Sequence, residues 1–545
     1  MSMTIDGPAT PAGSGAAGAE AAAVIRRRFA SWMVMGAALY VAMGGFALLF
    51  TPDRFYGSQI LDYQFLALVE GRLDVPARLI GGEGHLQPDG RAFAYNGFAP
   101  LVTRALAWPF VDLRTVSMAM PTIVLFAFIG SAFVLRAVAE RLAALPVDPG
   151  RARGTVDLMG LIVFLLSPGL VLTANGALYS EPLAVAYAGL GILVWALARV
   201  VAGARPPLWV VPLVGAVGAV LVHARPGAAP GIYLAALAFM ALALLPGAAH
   251  GGWRGGWRVW GPVMGTLAVM GLSGLALLGV NTLRSGSPFI VGGTPWFSEL
   301  TYGMTWWGFW EPLPPEERVV GQPSRFGLHR LVPNILHYAV DLPAPHGERL
   351  FGWIWSLRPA DDPVVIGRPM VGAAWIWLPW LVLGVVGTLA ALRGAVTGWP
   401  GLAAWGVRLA AAVALGLPAL MILSYGTVEM RYTAEWWPAL AFVALGALPW
   451  LVRGRRPALR ATLVLSLPAA LFLALLMTRA YSTQTFVLGD WTAESCQWLA
   501  ERKGMAPDDA AALCAAPEGH EGRIDIRAAI EQKGWQIPFK PRARD

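Results

Sequence analysis

The fold is decided by long apolar stretches, of which residues 182–201 are typical and read PLAVAYAGLGILVWALARVV. A helix needs about 20 apolar residues to cross roughly 30 Å of hydrocarbon, and this stretch has that length. Because a helix satisfies its own backbone polar groups in lipid, the sequence predicts an all-α polytopic membrane protein with about 11 transmembrane helices. The predicted spans are 29–50, 116–135, 156–174, 182–201, 207–222, 227–246, 260–281, 371–392, 407–424, 436–452 and 461–479.

The composition excludes two broad classes of protein. Only 14% of the 545 residues are charged and 56% are hydrophobic, whereas a soluble globular chain carries about 25% charged residues. A soluble enzyme and a disordered chain are therefore both excluded. The formal net charge is +8, but the arginines do not form one stripe, so nucleic acid is not expected as a partner.

The orientation follows from the arginines in the short loops. Arginine clusters precede the first predicted span and follow every later even-numbered one, and cytoplasmic loops carry such an excess. This alternation predicts a cytoplasmic N-terminus and an outside C-terminus. The domains are then a disordered cytoplasmic tail (1–25), a transmembrane domain (26–479) with long outer loops at 51–115 and 282–370, and a small extracytoplasmic helical domain (480–545).

The C-terminal domain holds the only two cysteines of the chain, Cys496 and Cys514. An oxidising compartment favours a disulfide, and a domain of about 65 residues gains from one staple. The topology therefore predicts a Cys496–Cys514 disulfide, with two free core cysteines as the alternative.

Two acids on the predicted outer face are candidates for chemistry. Asp62 begins a short predicted amphipathic helix that ends at Gly71, and Glu181 lies in a short turn before Pro182. Each could simply cap a helix. If both face one cavity, however, the pair suits either general-base catalysis or a divalent metal ion with oxygen ligands.

Two arginines in short outer turns are the candidate phosphate ligands. The excess of positive residues on cytoplasmic loops disfavours Arg225 and Arg431 at these positions. Guanidinium groups bind phosphate through two N–H groups at once, and lipid phosphates lie at this depth. The alternative for Arg431 is an ion pair with Glu429 or Glu435.

Taken together, these pieces resemble the GT-C superfamily of polytopic glycosyltransferases, most closely the bacterial relatives of dolichyl-phosphate-mannose–protein mannosyltransferase (glycosyltransferase family 39). The resemblance covers about 450 residues in order, and each motif alone is weak. Its motifs are Asp62 with Phe65, Ala67 and Gly71; Pro88–Arg91 with Tyr95–Gly97; Ser167–Gly169 and Tyr179–Pro182; Arg225-Pro226; Asn281, Arg284, Gly286 and Pro288; and Arg431-Tyr432 with Trp437-Pro438.

The resemblance implies an inverting transfer of a sugar from a polyprenyl-phosphate donor to a glycan, lipid or protein acceptor. The reaction would occur on the periplasmic face of the bacterial cytoplasmic (inner) membrane. Asp62 would be the base, and Glu181 would orient the acceptor or share a divalent cation with Asp62. Many members carry an acidic pair where Tyr63 follows Asp62 here, so Asp53 is the alternative base. The implied donor-phosphate ligands are Arg225, Arg431, Tyr432 and Arg284.

Two other functions remain open at this stage. A transporter or flippase of lipid-linked glycan would also span the membrane many times, although such folds show repeats and acidic residues at mid-membrane depth. An inactive GT-C-like scaffold is the third possibility, because the first outer loop has a single aspartate at the family's acidic position.

Overall fold

The computed structural model describes the chain as a bundle of helices with a few short strands. The described residues are 16–45, 57–76, 84–86, 92–94, 97–202, 208–245, 252–285, 288, 326–342, 346–357, 365–366, 370–393, 401–452, 457–483 and 507–508. Asp53, Cys496 and Cys514, which the sequence singled out, lie outside them, as does most of the predicted C-terminal domain.

The helices follow one another along the chain with short connections. They are α1 Ala16–Gly44, α2 Ile60–Val69, α3 Leu101–Ala107, α4 Ala119–Ala143, α5 Pro149–Leu165, α6 Pro168–Leu172, α7 Ser180–Ala202, α8 Val210–Val222, α9 Ala229–Leu244, α10 Trp257–Ser285, α11 Leu331–Val340, α12 His346–Phe351, α13 Ala373–Ile376, α14 Leu378–Arg393, α15 Gly401–Leu423, α16 Thr433–Ala444, α17 Leu448–Val452 and α18 Pro457–Thr483. Short 3₁₀ helices lie at Gly252–Arg254, Leu328–Arg330, Gly352–Leu357, Met430–Tyr432 and Leu445–Ala447.

Within the described residues, 7 helical segments are long and apolar enough to cross a membrane, so the chain is a multi-pass membrane protein. They are Ala119–Ala143, Pro149–Leu172, Ser180–Val201, Trp257–Arg284, Gly406–Leu423, Met430–Val452 and Pro457–Ser482. Three shorter apolar helices, Val210–Val222, Ala229–Leu244 and Leu378–Ala391, occupy further predicted spans. The count of eleven spans and the orientation stay predictions.

The first helix differs from the sequence expectation at its N-terminal end. Helix α1 begins at Ala16, so residues 16–25 are helical where a disordered tail is expected. Their composition, rich in alanine and glycine, suggested disorder, but alanine is also the best helix former. Ala21 and Ile25 are buried in the core, so packing supports this extension.

The first outer loop contains the predicted acidic helix and a small hairpin. Helix α2 has Asp62 in its first turn, and it is followed by Gly71 with a positive φ of 72°, as expected for a helix ended by glycine. Strands β1 Gly84–Leu86 and β2 Ala92–Ala94 pair in antiparallel fashion with His85 opposite Phe93. A second pair, β3 Val365–Ile366 and β4 Thr427–Val428, is parallel and joins the second outer loop to the turn before α16.

Helices α4 and α7 form the closest helix pair, and two glycines allow their approach. A Cβ atom on Gly191 would lie 2.5 Å from the backbone oxygen of Gly130. Inside a membrane, such small residues permit the close backbone packing that takes the place of a hydrophobic driving force. The first turn of α7, which carries Glu181, is therefore held firmly against α4.

Hydrogen bonds between buried hydroxyl groups connect this pair to α1. The Tyr40 hydroxyl lies 2.8 Å from Ser131 Oγ and 3.3 Å from Ser167 Oγ, and Ser131 Oγ lies 3.1 Å from the Tyr187 hydroxyl. Buried hydroxyls that satisfy one another in this way fix the rotation of each helix about its axis.

Gly191→Ala should destabilise the protein, because the added methyl group meets the backbone of α4. We expect a loss of about 1–3 kcal/mol, the usual cost of overpacking a core. Gly274→Ala on α10 is the matched control, since a Cβ there meets no atom within 4 Å. Thermal unfolding in detergent micelles measures both variants; equal melting temperatures would contradict the close α4–α7 contact.

Candidate functional site: two linked ionic clusters

One arginine, Arg104, joins the two acids that the sequence singled out. Its Nε donates to Asp62 Oδ1 at 2.8 Å, and its Nη2 donates to Glu181 Oε1 at 3.0 Å. Its Nη1 also binds the second oxygen of Glu181. All three side chains are 0% exposed. The acids thus converge, as predicted, but on a guanidinium that the sequence analysis did not name.

The helix ends around Arg104 supply further hydrogen bonds to this first cluster. Nη1 of Arg104 donates to Thr122 Oγ1 at 3.0 Å and to the carbonyl of Pro100 at 3.2 Å. The backbone N–H of Met118 donates to Asp62 Oδ1 at 3.3 Å. The cluster therefore joins α2, α3, the start of α4 and the start of α7 at one end of the bundle.

The charges in this cluster do not balance, since one guanidinium faces two carboxylates. Burial raises the pKa of Asp62 to about 7; Arg104 opposes this rise and the negative charge of Glu181 adds to it. The excess negative charge favours retention of a proton. For Arg104, burial disfavours its charge, but Glu181 and Asp62 outweigh this effect and raise its pKa.

The second cluster contains both arginines that were predicted to bind phosphate. Arg225 donates from Nε and Nη2 to the two oxygens of Glu435, at 3.0 and 2.9 Å. Arg431 Nη2 lies 2.5 Å from Glu429 Oε2. The carboxylate partner considered as the alternative for Arg431 is therefore present, and Arg225 has one as well. Burial raises the pKa of Glu429, and the two arginines oppose this rise.

Aromatic rings connect the second cluster to the first. The guanidinium carbons of Arg225 and Arg431 lie 5.3 and 5.4 Å from the ring centre of Tyr432. Arg431 also lies 4.3 Å from the ring centre of Tyr179, only two residues before Glu181. Cation–π contacts of this kind favour a guanidinium over an aromatic face. Four residues predicted from the sequence, Asp62, Glu181, Arg225 and Arg431, thus lie in one continuous network.

Arg284 lies beside the second cluster at the last turn of α10. Its guanidinium carbon is 4.7 Å from the ring centre of Phe98, and that ring is 6.2 Å from the ring of His223. The N–H of Ala99 donates to the carbonyl of His223 at 3.1 Å. Arg284 is therefore at the same end of the bundle as Arg225, which follows His223 by two residues.

The arrangement does not suit a divalent metal ion between Asp62 and Glu181. Their shared partner is the positive guanidinium of Arg104, which would repel a cation at that position. Among the residues that the structure describes, no group of three or more His, Cys, Asp or Glu side chains could hold a metal ion. No catalytic step is derived through a metal.

Arg104 could have been found by one signal in the sequence. It stands in the run Leu101-Val102-Thr103-Arg104-Ala105-Leu106, where every residue except Thr103 and Arg104 is apolar. A buried arginine is almost always paired with an acid. The sequence does not say which acid, because 42 residues separate Arg104 from Asp62 and 77 separate it from Glu181.

Arg104→Gln should strongly destabilise the protein, because it leaves two buried carboxylates without a positive partner. Breaking a buried ion pair by removing one partner costs about 3–5 kcal/mol. Arg136→Gln is the control, since Arg136 pairs with Glu140 near the surface and such pairs contribute only about 0.2–1 kcal/mol.

Thermal and denaturant unfolding of the two purified variants in detergent tests the importance of the first cluster. Similar small losses of stability for both variants would show that Arg104 is not essential to the packing of α2, α3 and α7.

Comparison with known proteins gives two similar solved structures. No family model and no curated protein matches the chain. The apo crystal structure of the Archaeoglobus fulgidus oligosaccharyltransferase is 15% identical, and the match has a TM-score of 0.44. The oligosaccharyltransferase AglB of the same organism, in complex with an inhibitory peptide and a dolichol-phosphate, is 14% identical with a TM-score of 0.44. Each match covers 95% of this chain but only 60% of the other.

Proposed function

We propose that the protein is a membrane glycosyltransferase of the GT-C type. It transfers a sugar from a polyprenyl-phosphate donor to an acceptor at the membrane surface. The observation that carries this proposal is the continuity of the two ionic clusters: an acid pair around Arg104 and an arginine pair around Tyr432 lie side by side at one end of the bundle. A transfer between a hydroxyl group and a phosphate leaving group needs both kinds of group.

The proposed reaction is an inverting displacement at the anomeric carbon. Asp62 accepts the proton of the acceptor hydroxyl as its oxygen forms a bond to C1 of the donor sugar. The bond between C1 and the phosphate oxygen breaks, and its electron pair leaves with polyprenyl phosphate. Positive groups held near that oxygen stabilise the developing charge, which is usually the largest contribution to catalysis.

The pairing of Arg225 supports its assignment to the donor phosphate. Its side chain is 27% exposed, compared with 7% for Arg431, so it is the more accessible of the two cations. It already binds both oxygens of a carboxylate through two N–H groups, and the same geometry fits two oxygens of a phosphate. We propose that the donor phosphate replaces Glu435 on Arg225, while Arg431, Tyr432 and Arg284 complete the positive surroundings.

The burial of Asp62 determines what the acceptor must do. In the present arrangement Arg104 and Met118 occupy both oxygens of Asp62. An acceptor hydroxyl reaches this carboxylate only if the contact between α2 and α3 opens. Glu181, which binds Arg104 through both of its oxygens, then keeps the guanidinium in place and orients the acceptor.

One observation favours the inactive scaffold as a second candidate. Every charged group of the first cluster already has a partner inside the protein, as a purely structural cluster would. The two functions differ in one respect, since a scaffold transfers no sugar from any donor whether Asp62 is present or not.

Asp62→Asn should abolish transfer while the protein remains folded. Asparagine has the same shape, can still accept the N–H of Arg104 and removes one of two like charges, but it cannot take a proton from the acceptor. We expect a loss of at least about 100-fold in kcat, the lower range for removal of a general base. The assay follows a radiolabelled sugar from a panel of polyprenyl-phosphate donors in proteoliposomes that contain membrane-extract acceptors.

Asp112→Asn is the matched control for this assay, because Asp112 is a surface residue of the same loop that accepts the N–H of Arg114. Transfer by wild-type protein that persists in Asp62→Asn would exclude Asp62 as the base. No transfer with any donor would favour the scaffold.

Arg225→Lys should weaken donor binding more than it slows the chemical step. Lysine keeps the charge but cannot bind two oxygens with a planar pair of N–H groups. We expect KM for the donor to rise roughly tenfold, equivalent to about 1.4 kcal/mol. Arg136→Lys at the other end of α4 serves as the control, and an unchanged KM in Arg225→Lys would remove Arg225 from the donor site.

A further inference from the structure

The segment that carries Arg104 has an inverted distribution of polar and apolar residues. In residues 101–110 the polar side chains, Thr103 and Arg104, are buried, whereas the exposed large side chains are apolar. We call these exposed residues the 102–110 surface: Val102, Leu106, Trp108 and Phe110. Leu106 is 70% exposed and Phe110 is 86% exposed. In water such a contiguous apolar surface is unfavourable and usually marks a contact with a partner or a membrane.

Hydrogen bonds place this surface at the level of the membrane boundary. The hydroxyl groups of Thr103 and Thr122 lie 2.6 Å apart, and Arg104 donates to Thr122 Oγ1 at 3.0 Å. Thr122 is in the first turn of Ala119–Ala143, one of the helices that can cross the membrane. Helix α3 therefore lies beside the point where a membrane-spanning helix begins.

The chain becomes charged immediately after the apolar surface. Asp112 and Arg114 follow Phe110, and the side chain of Arg114 is 62% exposed. An open cavity of about 330 Å³ lies between Leu66 and residues 108–114. The ring of Trp108 rests edge-on against Phe65 at 6.0 Å, which keeps it at this border. Tryptophan beside an apolar-to-charged transition is typical of the membrane–water interface.

We propose that the 102–110 surface is a lipid-contacting surface that inserts into the interfacial layer of the bilayer, with Phe110 and Leu106 among the acyl chains. The inverted pattern favours lipid as the occupant, because lipid is the surrounding in which apolar residues face outward and polar residues face inward. Asp112 and Arg114 then lie among the headgroups.

This contact also bears on the candidate site, although it does not depend on the proposed function. The same short helix presents Leu106 to lipid and Arg104 to Asp62 and Glu181. Insertion of one side of α3 therefore holds the other side against the first cluster. The bilayer is in this way part of what positions the two acids.

Site-specific fluorescence in vesicles tests the proposal on the full-length chain. A bimane label is attached to Phe110→Cys or, as the matched control, to Arg114→Cys, both in a Cys496→Ser, Cys514→Ser background. The vesicles contain phosphatidylcholine and phosphatidylglycerol. Quenching is measured with nitroxide-labelled phosphatidylcholine and with aqueous iodide. We expect lipid quenching to exceed iodide quenching several-fold at residue 110 and the reverse at residue 114.

Two outcomes would overturn the proposal. Dominant iodide quenching at residue 110 places the surface in water, and protection from both quenchers shows that another segment of this chain or a second copy covers it. If the serine background does not fold, photo-crosslinking of benzoylphenylalanine at residue 110 or 114, with the native cysteines retained, makes the same comparison. Crosslinks to lipid at residue 110 support the proposal; crosslinks to protein or to neither contradict it.

Discussion

The end of the bundle that contains the candidate site depends on the guanidinium of Arg104, which binds two carboxylates where no water reaches. Removing three charged groups from water is expensive, and only mutual attraction with well-formed hydrogen bonds compensates for it. The cluster therefore forms only when α2, α3 and α7 are all in place. A local defect in any of these three helices would expose or isolate a charge in the others.

Helix packing in the membrane makes this arrangement rigid. Gly130 and Gly191 bring α4 and α7 into backbone contact, and the first turns of these helices carry Thr122 and Glu181, the two groups that hold the Nη atoms of Arg104. Small residues deep in the bilayer thus determine the positions of charged groups at its surface. The rigid part of the site is the α4–α7 side, and the part that has to open is the α2–α3 side.

The second cluster differs from the first in accessibility. Arg225 is partly exposed and already binds a carboxylate with two parallel hydrogen bonds, so an incoming phosphate would exchange one anion for another. Asp62 has no such access, since its surroundings are entirely protein. The proposed enzyme would therefore bind its donor at an open site and would admit its acceptor only after a conformational change, an order that also keeps water away from the reacting carbon.

Much of the architecture and part of the site could be predicted from the sequence. Hydrophobic length alone predicted the bundle, the glycine after α2 marked the end of that helix, and the acids at 62 and 181 were expected to converge. The tail before Arg26 was mispredicted, because alanine-rich composition is compatible with both disorder and helix. Arg104 was missed because nothing in its own neighbourhood distinguishes a lone arginine in an apolar run from a residue at the membrane interface.

The sequence by itself determined that the chain crosses the membrane repeatedly and which acids and arginines stand at helix ends, since both properties are local: the first needs a run of apolar residues and the second a position beside a turn. Only the tertiary structure decided which charges meet. Arg104 binds Asp62 and Glu181, and Arg225 binds Glu435, 210 residues further along the chain. The physical reason is that an ion pair is chosen by distance in space and by burial, and in a membrane protein the lipid-facing and core-facing sides of a helix are equally apolar. Neither the partner of a charge nor the direction in which α3 faces is therefore written in any local pattern.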